Sequence, residues 1–263
     1  MRSFETLLMT IDVRGVATVT LNRPEKKNAL SGQMISDLTE VSKEISKNKR
    51  IRVAILRGAG EVFCAGADLS WMRHQIKADR DGRMQEARKL AYMLRALHET
   101  RVPLIGALHG GAFGGGIGMA CICDVTIAES NMVFGFTETR LGLIPATISP
   151  YVIARMGEGK ARNVFMSARL FSAKEAKALN IVSDFVSEKE FDAKIEAEVA
   201  PYLRVAPEAV CASKKLVRML GKPIDDLVIE ETITCLCDIW ETEEAREGID
   251  AFLNKRKPYW ALD

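Results

Sequence analysis

Histidine is scarce in this chain, and so are paired cysteines. Its 263 residues hold three histidines, and the six cysteines (Cys64, Cys121, Cys123, Cys211, Cys235, Cys237) form no C-x-x-C knuckle. Zinc ribbons and fingers need that spacing, so they are excluded, and thiols in mostly apolar surroundings are expected to be buried and reduced. Cys121/Cys123 or Cys235/Cys237 could still join one of His74, His98 and His109. Alternate residues of a strand face opposite ways, however, so no metal site is expected. No stretch approaches the roughly 20 apolar residues of a membrane span, and Met1-Arg2-Ser3-Phe4-Glu5 lacks the apolar core of a secretory signal. The expectation is a soluble, cytoplasmic protein. An excess of one charge is missing too: a formal net charge of +2 gives no bulk attraction to nucleic acid or membrane. The basic run Lys43, Lys47, Lys49, Arg50 is interrupted by Asp37, Glu40 and Glu44, and no aromatic residue interleaves for base stacking.

Internal repeats, low-complexity tracts and charged linkers are absent as well, and 263 residues suit one α/β domain. Residues 15–21 and 53–57 read as strands, being short, β-branched and bounded by turn residues. Between them Ser31 can cap a helix whose apolar face is Met34, Leu38, Val41 and Ile45. A second helix is expected over 83–98, with Met84, Ala87, Leu90, Ala91, Leu94 and Leu97 as its stripe, followed by a buried strand at 104–108. Strands alternating with helices imply a largely parallel sheet. After Pro150 the pattern is almost wholly helical, with capping boxes expected at Ser172 to Glu175 and Ser187 to Glu190.

Two glycine/alanine turns carry the chemistry. One is Val62-Phe63-Cys64-Ala65-Gly66-Ala67-Asp68-Leu69; the other is Gly110-Gly111-Ala112-Phe113-Gly114-Gly115-Gly116-Ile117-Gly118. Residues with little or no side chain let backbone amides approach a ligand closely. Two N–H groups converging on a carbonyl oxygen stabilise the negative charge that develops there, each by about 3–4 kcal/mol in a dry site. The segment from Phe134 to Pro145 adds one carboxylate, Glu138, which a desolvated pocket beside Phe134 and Phe136 would poise for proton transfer near neutral pH. A dinucleotide fingerprint does not fit, because the register that uses Gly116 and Gly118 puts Cys121 where its third small residue should stand.

These segments resemble the enoyl-CoA hydratase/isomerase (crotonase) superfamily over nearly the whole chain. The likeness starts at Leu21-Asn22-Arg23-Pro24-Glu25-Lys26-Lys27-Asn28-Ala29-Leu30, passes through both turns and Glu138, and ends at Phe252-Leu253-Asn254-Lys255-Arg256-Lys257. It implies an α/β fold with a β-β-α spiral core over residues 1–190 and a helical region over 191–263 used in a homotrimer or a dimer of trimers. It implies an acyl-CoA thioester as substrate, with CoA entering only as part of that substrate and no separate cofactor. By matching position, Ala65 and Gly115 are expected as the amide donors and Glu138 as the acid/base. Lys26 and Ala29 would lie near the adenine, main-chain groups of Ala67 and Leu69 against it, and Phe252 with Lys255 would reach in from the C-terminal helix of the same or a neighbouring subunit. Lysine suits the nucleotide phosphates as a point charge.

One position departs from the family pattern. Well-known hydratases carry a second glutamate where this chain has Gly118, and glycine can neither hold a water nor carry a proton. A single glutamate suffices to move a proton between carbons, which suits a 3-enoyl to 2-enoyl isomerase. The finer resemblance favours a hydratase. Asp68-Leu69-Ser70-Trp71-Met72, the segment from Gly142 to Tyr151 and Lys255-Arg256-Lys257-Pro258-Tyr259-Trp260 look like bacterial 3-methylglutaconyl-CoA hydratases. The second carboxylate of such a substrate calls for a guanidinium, for which Arg73, Arg140 and Arg155 are candidates.

Overall fold

A computed structural model describes residues 2–262. Its strands are β1 (Arg2–Ser3), β2 (Leu7–Ile11), β3 (Val16–Leu21), β4 (Val53–Gly58), β5 (Leu104–Leu108), β6 (Gly111–Phe113), β7 (Val125–Glu129), β8 (Val133–Gly135), β9 (Leu170–Ser172) and β10 (Asp184–Val186). The first helices are α1 (Gly32–Lys47), α2 (Leu69–Lys77), α3 (Arg80–His98), α4 (Gly115–Cys121), α5 (Ser149–Met156), α6 (Glu158–Phe165) and α7 (Ala173–Ala178). Four more follow: α8 (Phe191–Val199), α9 (Pro207–Leu220), α10 (Asp226–Trp240) and α11 (Glu243–Leu253). A seven-stranded sheet runs in the order β1-β2-β3-β4-β5-β7-β10 and a three-stranded one in the order β6-β8-β9. From β3 to β10 every neighbouring pair in the large sheet is parallel, while β1, β2 and β3 pair antiparallel. No helix among the described residues is long and apolar enough to cross a membrane.

Alternation along the strands assigns the two faces of the large sheet. Ala17, Val19, Leu21, Ala54, Leu56, Leu104 and Leu108 point toward α1 and α3, where Met34, Leu38, Val41 and Ile45 meet Met93, Leu94 and Leu97. The intervening residues Val16, Val53, Ile55, Ile105, Ala107 and Ile127 point the other way, onto Phe191, Ile195 and Val199 of α8. With both faces covered, the central strands are continuous apolar runs, as parallel strands must be. Each fully buried aliphatic side chain contributes about 1.5–3 kcal/mol, so the stripe on α1 holds that helix to the sheet. Ser31 caps it, its Oγ accepting from Met34 N at 3.2 Å.

Several expectations need adjustment. The region after Pro150 is mostly helical, as expected, but also holds two strands: β9 pairs with β8, and β10 extends the large sheet beside β7. Both are three residues long, too short to show a period of two. Helix α3 starts before its apolar stripe because Asp79 caps it, Oδ1 accepting from Gly82 N at 2.9 Å. The capping box at Ser187 is complete, whereas Glu175 gives its carboxylate to Arg169 and only the Ser172 half of that box forms. Asp37, which interrupts the basic run, has a structural role as well. It is buried, and its Oδ2 accepts from Thr6 N (2.9 Å) and Thr6 Oγ1 (2.7 Å). The C-x-C pairs lie at the end of α4 and within α10 rather than on strands, and Cys235 is exposed while Cys64, Cys121, Cys123 and Cys237 are buried.

Asn28 joins this frame to the glycine turns. It is fully buried in the left-handed region at φ 53°, a conformation asparagine tolerates better than most residues. Its Nδ2 donates to the carbonyls of Ala59 and Val62, both at 2.8 Å, and its Oδ1 accepts from Arg23 N at 2.9 Å. Asn28→Ala orphans all three groups and should lower stability by about 2–4 kcal/mol, measurable as a shifted urea midpoint.

Candidate active site

Three loops meet at the N-terminus of α4. Leu30 pairs with Ala67 and Cys64 with Ala112 as single parallel bridges, which ties the segment after Asn28, the first glycine turn and β6 together. The Asp68 carboxylate caps α2, accepting from Ser70 N at 2.8 Å, and meets Arg23 at 3.0 Å. Burial alone would raise its pKa, but the hydrogen bonds and the guanidinium outweigh it and hold the carboxyl below its ordinary range. Arg23 also donates to the Ala29 carbonyl at 2.9 Å, so the loop presenting Ala29 is braced by the same cation.

A cavity of about 780 Å³ opens over this junction. Its walls come from residues 25–30, 65–72, 113–115 and 137–148, with Leu90 of α3 and with Leu236, Trp240 and Phe252 from α10 and α11. Ala65, Gly115, Glu138, Lys26, Ala29, Ala67, Leu69 and Phe252 all line it. Lys255 does not; it is exposed just beyond α11, at φ 54°.

The amide positions require a correction. Ala65 N–H, expected as a donor, already donates to the Lys27 carbonyl at 2.9 Å. Two residues on, Ala67 N–H has no acceptor among the described residues, because the bridge to Leu30 uses Gly66 O and Asp68 N instead. Gly115 N–H also has none, as the first residue of α4 lies ahead of any intrahelical bond. The free pair on the cavity wall is therefore Ala67 and Gly115. Sequence position alone could not separate Ala65 from Ala67, since both flank the same glycine.

Glu138 opens a short 3₁₀ turn, Glu138–Leu141, that ends on Gly142. Its carboxyl packs against Gly114, where an added β-carbon would lie 2.8 Å from Oε1; Gly114 also sits at φ 47°, which a side chain would resist. Oε2 is buried without a hydrogen-bond partner. Desolvation by burial pushes the carboxyl up to about 7, so it can exchange a proton at neutral pH. Phe134 and Phe136, expected beside it, lie in the core behind, Phe134 stacked on Phe171 and Phe136 tilted against Phe165, and do not line the cavity. Gly118 faces Ile148: a β-carbon at 118 would fall 2.4 Å from Ile148 Cγ2.

The three arginines part company. Arg155 is locked in the fold, donating to the carbonyls of Cys123, Asn180 and Ile181 and to Thr126 Oγ1. Arg73 is exposed and off the cavity, and Arg140 lines it without an ion pair among the described residues. His109 lies in a separate polar cleft, its Nε2 2.9 Å from the Gly60 carbonyl. Sequence reasoning missed Trp71, whose Nε1 donates to Glu86 at 3.2 Å, and Trp240, beneath the Arg83 guanidinium. The apolar spacing of Ile229, Ile233 and Trp240 on α10 was the available signal for the latter.

The sequence model describing enoyl-CoA hydratase/isomerase matches residues 12–262. The chain belongs to the enoyl-CoA hydratase/isomerase family. Among its relatives, the short-chain-enoyl-CoA hydratase of Clostridium acetobutylicum is 32% identical over 249 residues, covering 92% of each chain. The (E)-benzylidenesuccinyl-CoA hydratase of Thauera aromatica is 30% identical over 257 residues, covering 95% of this chain and 97% of its own. The crystal structure of an enoyl-CoA hydratase from Shewanella pealeana superposes with a TM-score of 0.80 at 35% identity, covering 98% of this chain and 96% of that one. The α/β fold is thus the crotonase-like one expected from the motifs.

Because the Glu138 value lies above the ordinary 4.5, the folded protein holds this proton more tightly than the unfolded chain. The carboxyl favours folding fully below about pH 4.5, and that contribution is lost as pH rises through about 7. Glu138→Gln cannot ionise. Between pH 4.5 and 8 the stability of the wild type relative to this variant should fall by up to about 3 kcal/mol, read from paired urea denaturations.

Proposed function

We propose that this enzyme adds water across the 2,3 double bond of an enoyl-CoA thioester, with 3-methylglutaconyl-CoA as its substrate. The observation that carries the reading is the Glu138 carboxyl poised near 7, with an oxygen unpartnered among the described residues, in a cavity that also presents the free amides of Ala67 and Gly115. The thioester oxygen accepts from both amides, which stabilises the enolate formed at C2. Glu138 as carboxylate takes a proton from water, the hydroxyl bonds to C3, and the proton is returned to C2. Substrate plus water equals product and Glu138 is regenerated, with no metal and no redox cofactor taking part. Relatives named as hydratases, among them the (E)-benzylidenesuccinyl-CoA hydratase, are consistent with this reading. Double-bond migration by Glu138 alone is the second reading, favoured by the hydrocarbon of Ile148 over Gly118.

Lys26, Ala29, Leu69, Phe252 and the Ala67 carbonyl hold the CoA, and Lys255 serves a neighbouring subunit's phosphates. Arg140 receives the distal carboxylate of the acyl group. The helical region after residue 190 builds a homotrimer, supported by α9, which buries none of its residues in the protomer and exposes Leu216, Val217, Met219 and Leu220 at 51–76%. Sedimentation should accordingly give three or six times the monomer mass; a monomer would refute the assembly.

Mass spectrometry after incubation with 3-methylglutaconyl-CoA should show a gain of one water, absent with Glu138→Gln. Conversion of 3-hexenoyl-CoA without mass change, and no hydration of the first thioester, would replace the hydratase by the isomerase. Arg140→Met should raise KM for 3-methylglutaconyl-CoA by about 10-fold or more, the loss expected for a charged hydrogen bond, and leave crotonyl-CoA unaffected.

A further inference from the structure

Gly118 lies three residues after Gly115 on α4, so the two share a face of that helix about 5–6 Å apart. The space a side chain at 118 would take is already filled. An added β-carbon would lie 2.4 Å from Ile148 Cγ2 and 2.9 Å from Ile148 Cβ. Ile148 is 2% exposed and lines the same cavity. It is not a loose flap: it caps α5, its carbonyl accepting from Val152 N at 3.1 Å, and Ser149 Oγ fastens that corner to the Ala146 carbonyl at 2.6 Å. A β-branched side chain on such a corner has little rotameric freedom.

We propose that Ile148 determines acyl specificity: reaching over Gly118, it walls the cavity one helical turn from the Gly115 amide and sets the size of the substituent on the third acyl carbon. The inference rests on Gly115 donating to the thioester oxygen. With that oxygen at the amide, C3 lies two bonds beyond the carbonyl carbon, within the roughly 5.4 Å length of one helical turn. The wall there is hydrocarbon and closely packed. It makes dispersion contact with a hydrogen or methyl on the face of C3 turned to it, and it does not yield to a larger group there because interiors resist overpacking; a hydroxyl added from the Glu138 side is not restricted by it.

Saturated thioesters, which cannot be hydrated, test this without reference to the reaction. Titration calorimetry would compare butanoyl-CoA, 3-methylbutanoyl-CoA and 3,3-diethylpentanoyl-CoA, in which every branch on C3 exceeds a methyl, on the full-length protein. The wild type should bind the first two within about threefold of each other and the third about 10-fold or more weaker, the discrimination expected once a branch larger than methyl must face the packed wall. Ile148→Ala should erase the penalty on the third. Gly118→Ala, which pushes Ile148 into the cavity, should weaken 3-methylbutanoyl-CoA relative to butanoyl-CoA. An unchanged affinity order in folded Ile148→Ala overturns the proposal. If that variant does not fold, unchanged ratios in both Ile148→Val and Gly118→Ala overturn it. Shifted binding ratios without product from any enoyl-CoA would retain the wall and reject the proposed hydration, so the two failures are distinct.

Discussion

The Glu138 carboxyl packs on the backbone of Gly114 more closely than any side chain would allow, and the remaining site geometry follows from that contact. Approach of the 3₁₀ turn to the α4 N-terminus removes water from the carboxyl and raises its affinity for a proton. The same approach sets that carboxyl beside the first free amide of α4, because Gly115 directly follows the residue on which the carboxyl rests. The far side of the turn is held equally tightly. At Gly248 of α11 an added β-carbon would lie 2.5 Å from the Leu141 carbonyl carbon, so the C-terminal helix forms part of the cavity as well as covering it.

Around this contact the polar groups are either bound into the frame or left free, and the division has chemical meaning. Arg155 and Asn28 spend their hydrogen-bonding capacity on buried backbone carbonyls, which would otherwise be orphaned at a cost of about 1–3 kcal/mol each. Asp68 is neutralised by Arg23 and two helix amides. Glu138 Oε2, the Ala67 N–H and the Gly115 N–H have no such partners among the described residues. A ligand carbonyl that accepts from the two amides satisfies them on binding.

Ile148 gives the site its asymmetry. One side of the α4 N-terminus carries a carboxyl that titrates near neutrality, and one turn along the same helix the wall is hydrocarbon. Position 118 on that helix carries no carboxylate, which distinguishes the cavity from an arrangement of two carboxylates that share the work.

Much of this was legible in the residues alone. The 3.6-residue stripe on α1, the continuous apolar run of β5 and the Ser31 cap depend on local periodicity and capping chemistry, which neighbours in sequence express directly. The two small-residue turns and the isolated glutamate indicated carbonyl chemistry because few other uses suit bare amides near one carboxylate. What the sequence could not carry depended on which groups meet across distance. Ala65 and Ala67 are chemically identical, and only the Lys27 carbonyl, brought close by folding, takes one amide and leaves the other free. Arg140 and Arg155 read alike until packing commits Arg155 to three carbonyls. The three-residue strands β9 and β10 exist because β8 and β7 offer unpaired edges. Sequence by itself determined the helices, the parallel sheet and the class of chemistry, since those follow from local pattern; tertiary structure decided which amide, which arginine and which wall face the cavity, since those are properties of contacts between segments distant along the chain.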